Sequence, residues 1–63
     1  MTLVDALYQT RLDVIQALAE AQANETACHK RGHHGLAEFW QGRREALTEQ
    51  LREIQNDIER EEV

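Results

Sequence analysis

Apolar side chains recur along this chain at intervals of three and four, and the recurrence breaks once. In the first half, two rows run side by side. One is Val4, Tyr8, Leu12, Ile15, Ala19 and Ala23; the other is Leu3, Leu7, Val14, Leu18 and Ala21. Such spacing lays each row along a helix face. In the second half the row is Leu36, Trp40, Leu47, Leu51, Ile54 and Ile58. From Leu47 its steps are four, three and four, a heptad-like seam. Nowhere do apolar and polar residues alternate with a period of two, so the pattern predicts no strand.

The break is Lys30-Arg31-Gly32-His33-His34-Gly35, near the middle of the chain. The reading is an all-α, antiparallel two-helix hairpin in a single domain over residues 1–63. Helix 1 spans about 3–31, the bend 32–35, and helix 2 about 35–60. Thr2 is the expected N-cap of helix 1, with Asp5 as its capping-box partner. Lys30 and Arg31 suit the negative end of that helix, and Gly32 suits the position after it. Gly35 is the expected N-cap of helix 2, with Glu38 three residues on. Beyond Ile58, the acids Glu59, Glu61 and Glu62 crowd a negative helix end, so fraying is expected there.

Each helix is about 40 Å long at ~1.5 Å per residue. The two rows of helix 1 together are wider than one neighbouring helix covers. That width predicts a second copy: two hairpins packed as a homodimeric four-helix bundle. Leu7, Leu12, Ile15, Leu18, Leu47, Leu51, Ile54 and Ile58 are the expected core and dimer residues. The competing architecture, one unbroken helix in a two-chain coiled coil, is disfavoured by Gly32 and Gly35.

Composition sharpens this. The chain has 63 residues, no Pro and three Gly. Below roughly 70–80 residues a lone core rarely supplies more than ~3–5 kcal/mol, so small scaffolds lean on disulfides, metals or partner chains. The single cysteine excludes an internal disulfide and suits a reducing setting. No leader-like segment opens the chain, and no apolar run approaches the ~20 residues that cross a bilayer. A cytoplasmic protein with no membrane partner is expected. The Arg-rich, Lys-poor, Ala-rich composition fits a bacterial or phage gene.

Charge is unevenly spread. Residues 1–29 carry a net −3, residues 30–44 a net +3 and residues 45–63 a net −5. Folded at the middle, the hairpin has a basic tip and an acidic base. The acidic whole argues against a nucleic-acid binder, because phosphate affinity comes from accumulated cations. Lys30 and Arg31 are the residues a nucleic-acid contact would use.

Three groups are candidates for chemistry. Cys28, His29, His33 and His34 are the nearest approach to a metal-ligand set, with Glu25 one turn before His29 on the same helical row. Gly32 stands against it, ending the helix between the ligands, as does the lack of a second spaced ligand group. The plainer reading is a small packed Cys and polar turn histidines. Phe39 and Trp40 are adjacent, so they point about 100° apart; either both pack near the bend or one anchors a partner. With Arg43 and Arg44 one turn on, they make the expected partner-binding patch. Gly42 sits within a helix and costs ~1 kcal/mol relative to Ala.

Catalysis has no support. The chain lacks Ser, and Cys28 and His29 are consecutive, which turns them apart on a helix. No cofactor is implied. The expected function is a small, non-enzymatic regulator or inhibitor that lays a helical face on another protein. A nucleic-acid regulator using the basic bend and a metal-binding hairpin are the competing readings.

Overall fold

The computed structural model describes residues 2–63. It is all-helical, with two helices, α1 (Leu3–Lys30) and α2 (His34–Glu62), packed against each other. They form a rod whose extents are 46 × 17 × 11 Å. Cross-helix pairs run in reverse order along the chain, Tyr8 with Glu62, Arg11 with Gln55 and Glu25 with Arg44, so the helices are antiparallel.

α1 opens on the capping box. The Asp5 amide donates to Thr2 Oγ1 at 3.2 Å, and the Thr2 amide donates to Asp5 Oδ2 at 3.3 Å. The shorter Asp side chain thus does the work usually given to Glu. α1 closes on a Schellman turn. The Gly32 amide donates to the His29 carbonyl at 3.1 Å, and the His33 amide to the Cys28 carbonyl at 2.9 Å. Gly32 has a φ of +77°, the left-handed conformation that only a residue without Cβ adopts at little cost.

This turn corrects the expected start of helix 2. Reversal is complete by His33, so α2 starts at His34, and Gly35 lies inside its first turn rather than capping it. His33 is the N-cap and contributes no side-chain hydrogen bond. Its carbonyl accepts the Ala37 amide at 2.9 Å, which begins the helical ladder. Glu38 is therefore beyond the first turn, which holds no acid. At the other end α2 extends to Glu62. Ile58, 3% exposed, anchors the last turns, and Tyr8 donates a hydrogen bond to Glu62.

The core is one seam. On α2, Ala37, Trp40, Arg44, Leu47, Leu51, Ile54 and Ile58 follow one another at steps of three and four and are all buried or half-buried. On α1 the matching positions are Val4, Leu7, Arg11, Val14, Leu18, Ala21, Glu25 and Cys28, with the same steps and the same burial. This is knobs-into-holes spacing sustained through the hairpin. Near the tip the buried residues are small, Ala21, Cys28 and Ala37; toward the base they are Val14, Leu47, Ile54 and Ile58.

Of the two rows expected on α1, the seam takes the one containing Leu7, Val14, Leu18 and Ala21. Tyr8, Leu12 and Ile15 of the other row remain exposed. One neighbouring helix covers a narrow arc, so the second row has nothing within the hairpin to pack on. Among the described residues no helix is long and apolar enough to cross a membrane.

Candidate interaction surfaces

The seam divides the surface. Residues one step past Leu7, Val14, Leu47 and Ile54 are Tyr8, Ile15, Thr48 and Gln55, and these border one broad face. Residues one step before Ala37 and Arg44 are Leu36 and Arg43, which border the opposite face with Arg31.

Leu36, Phe39 and Arg43 gather near the tip on the second face, at helical steps of three and four. Phe39 is 58% exposed. Its ring meets that of Trp40 edge to face, with centroids 5.2 Å apart and planes at 81°. Trp40 is half-buried and packs against the core, so it backs the Phe39 ring and holds it in place. The four residues expected to bind a partner therefore separate. Phe39 and Arg43 face outward; Trp40 and Arg44 belong to the seam. Leu36, expected in the seam, is exposed instead, because Ala37 occupies that position.

Arg44 is engaged across the hairpin. Its Nε donates to Glu25 Oε1 at 2.8 Å. That hydrogen bond, then the Glu25 charge, holds the guanidinium above the ordinary arginine pKa. Lys30, Arg31 and Arg43 are exposed, and none is in an ion pair among the described residues.

The bend does not assemble a metal centre. Cys28 is buried in the seam, whereas His29, His33 and His34 are exposed. His29 and His34 have ring centroids 6.1 Å apart. His29 Nε2 lies 4.0 Å from Glu25 Oε2, but Glu25 is already bound to Arg44. Among the described residues no three His, Cys, Asp or Glu side chains are grouped to hold an ion.

The first broad face carries the leftover apolar row. Leu12 is 49% exposed and Ile15 44%. Beside Ile15 an open groove of about 450 Å³ runs between the helices, with Leu51 in its lining and Arg11, Thr48, Gln55 and Asn56 around it. Polar contacts fix the Tyr8 end of the row. The Arg11 guanidinium sits 4.6 Å from the centre of the Tyr8 ring, and Arg11 Nη1 donates to Gln55 Oε1 at 3.2 Å. The hydrogen bond from Tyr8 to Glu62 raises the phenol's pKa above its usual value. Of the expected core and dimer set, Leu47, Ile54 and Ile58 are buried, and Leu7, Leu18 and Leu51 pack on them half-buried. Leu12 and Ile15 lie outside that core.

The chain matches no family model, and no curated protein or solved structure is significantly similar to it.

Proposed function

We propose that this chain is a non-enzymatic interaction module: a homodimeric helical hairpin that regulates another protein by docking its tip. The observation that carries the reading is Phe39. It is a large aromatic ring, mostly exposed, backed by Trp40, with Leu36 and the cation Arg43 beside it. An aromatic anchor flanked by Arg is the composition of binding hot spots. Exposed cations suit a partner pocket that is apolar with a carboxylate rim.

Dimerisation is supported by the thinness of the hairpin. No large side chain is fully buried among the described residues. Leu12 and Ile15 stay in water on a broad face opposite the Leu36 and Arg43 side, so a second copy covers them and leaves the tip open.

Two measurements test the reading. The solution mass of the purified chain reports the dimer; a monomer at high micromolar concentration refutes that part. Quantitative capture from lysate with wild type, Phe39→Ala and Arg43→Glu tests the tip. A protein held by the wild type and lost from both variants supports it; capture unaffected by either variant refutes it.

A further inference from the structure

We infer that the tip takes an acidic segment of its partner: carboxylates on Arg31 and Arg43, with a large apolar side chain between them on Leu36 and Phe39. The inference rests on the docking tip proposed above and adds the chemistry of what docks there.

The chain has 12 Asp and Glu against 7 Lys and Arg, so every cation has acids enough to pair with. Most are engaged. Arg44 is bound to Glu25, Arg52 to Glu49 and Arg60 to Asp57. Arg11 lies over the Tyr8 ring and donates to Gln55. The remaining three, Lys30, Arg31 and Arg43, are exposed and in no ion pair among the described residues. All three lie toward the bend.

Two of them gather around the exposed ring. Counted from the Glu25–Arg44 pair, Arg31 lies six residues toward the bend on α1, and Phe39 five residues toward it on α2. The two therefore stand level across the seam. Arg43 follows Phe39 by one turn of the same helix. Glu38 and Glu45 come one residue after the seam positions Ala37 and Arg44, which turns them to the other flank of α2. The surface of Arg31, Leu36, Phe39 and Arg43 thus holds two guanidiniums and no acid.

The number of charges selects the class of partner. Polybasic membrane contacts use clusters of ~4–8 cations. Nucleic-acid binding driven by phosphates draws on ~6–10 contacts. Three cations on a chain of net charge −5 are too few for either. Two arginines match two carboxylates, which a planar guanidinium holds in bidentate pairs. Phe39 supplies the apolar anchor between them, and Trp40 behind it steadies the ring.

Trp40 is the only tryptophan and meets Phe39 edge to face, so its emission reports a ligand on that ring. The probe is a short synthetic amphipathic peptide of Glu, Leu and Ala, with Glu on either side of a Leu pair on one helical face. It should change Trp40 emission saturably, and salt should weaken the effect. Arg31→Gln and Arg43→Gln, with helix content checked by circular dichroism, should each weaken binding about tenfold, the scale of one charge-assisted hydrogen bond. Arg43→Glu should reject the peptide and accept a counterpart with Lys in place of one Glu. A counterpart with Gln for Glu that binds as tightly as the acidic peptide, and is lost on Phe39→Ala, overturns the acidic partner while leaving the docking tip. Tighter binding of single-stranded RNA or of phosphatidylserine vesicles, reduced by the same arginine changes, also overturns it. No response to the acidic peptide overturns the inference, and if Phe39→Ala and Arg43→Glu also leave lysate capture unchanged, the docking tip falls with it.

Discussion

Arg44 Nε lies 2.8 Å from Glu25 Oε1, joining the two helices through seam positions flanked by Ala21 and Cys28 on α1 and by Trp40 and Leu47 on α2. Both residues sit at steps of three and four from their buried neighbours, so the pair stands within the heptad rather than outside it. A pair so placed marks the register: slide one helix by a turn and the two charges part, facing Leu47 and Cys28 in one direction or Trp40 and Ala21 in the other. Glu25→Ala should lower the thermal midpoint, since it leaves Arg44 beside the core without a partner. Glu25→Leu with Arg44→Leu should recover or exceed wild-type stability. A double variant no more stable than the single one would show that the pair itself holds the hairpin together.

Tyr8 is the sole tyrosine, so its titration is read directly from its ultraviolet absorbance. The hydrogen bond to Glu62 favours the protonated phenol, and the folded pKa is raised. A folded pKa above the unfolded one contributes stability that is complete below the unfolded value, near 10, and is lost as pH rises through the folded value. The native chain should therefore ionise above the ordinary tyrosine value. Glu62→Gln should bring the midpoint down. A midpoint unmoved by that change would refute the contact.

Two glycines should respond with opposite sign. A Cβ at Gly42 meets open space, and the residue lies within α2. Gly42→Ala should stabilise by up to ~1 kcal/mol through helix propensity. Gly32→Ala also meets no neighbouring atom, but its φ of +77° strains any L side chain, and it should destabilise by ~1–2 kcal/mol. Urea unfolding of both variants decides the matter.

The two apolar rows of α1 separate core from surface. Ile54→Ala should cost about 2–5 kcal/mol, as large-to-small core changes do, enough to unfold much of a chain this small. Ile15→Asp should leave the helices formed and abolish dimerisation. Circular dichroism and solution mass on the two variants give opposite patterns if the surfaces are as described; loss of helix in Ile15→Asp would place Ile15 in the hairpin's own core.

Much of the hairpin is legible in the residues. Thr2 with Asp5, the glycine at 32 and the steps from Leu47 to Ile58 are local signals, because capping, left-handed backbone and heptad spacing are decided within a turn or two. The pattern misplaces the start of α2 on Gly35 because a Schellman turn reverses the chain sooner than a glycine pair suggests. Arg11, Glu25 and Arg44 are hidden for a different reason. Hydrophobic periodicity counts only apolar residues, and a long polar side chain in the seam is invisible to it until its partner is known. Leu36 misleads in the opposite direction: a Leu beside an Ala claims the seam by size, yet the register assigns that place to Ala37.

By itself, then, the order of residues determined that two helices form, where the bend falls, and that one apolar row too many lies on α1. Those are consequences of short-range sterics and of repeat spacing. Which row faces α2, which aromatic of Phe39 and Trp40 points outward, and that Arg44 is tied to Glu25 were decided only when the helices came together. Each depends on how the second helix is rotated against the first, and that rotation is set by the sum of contacts along the whole seam rather than by any stretch of neighbours in the chain.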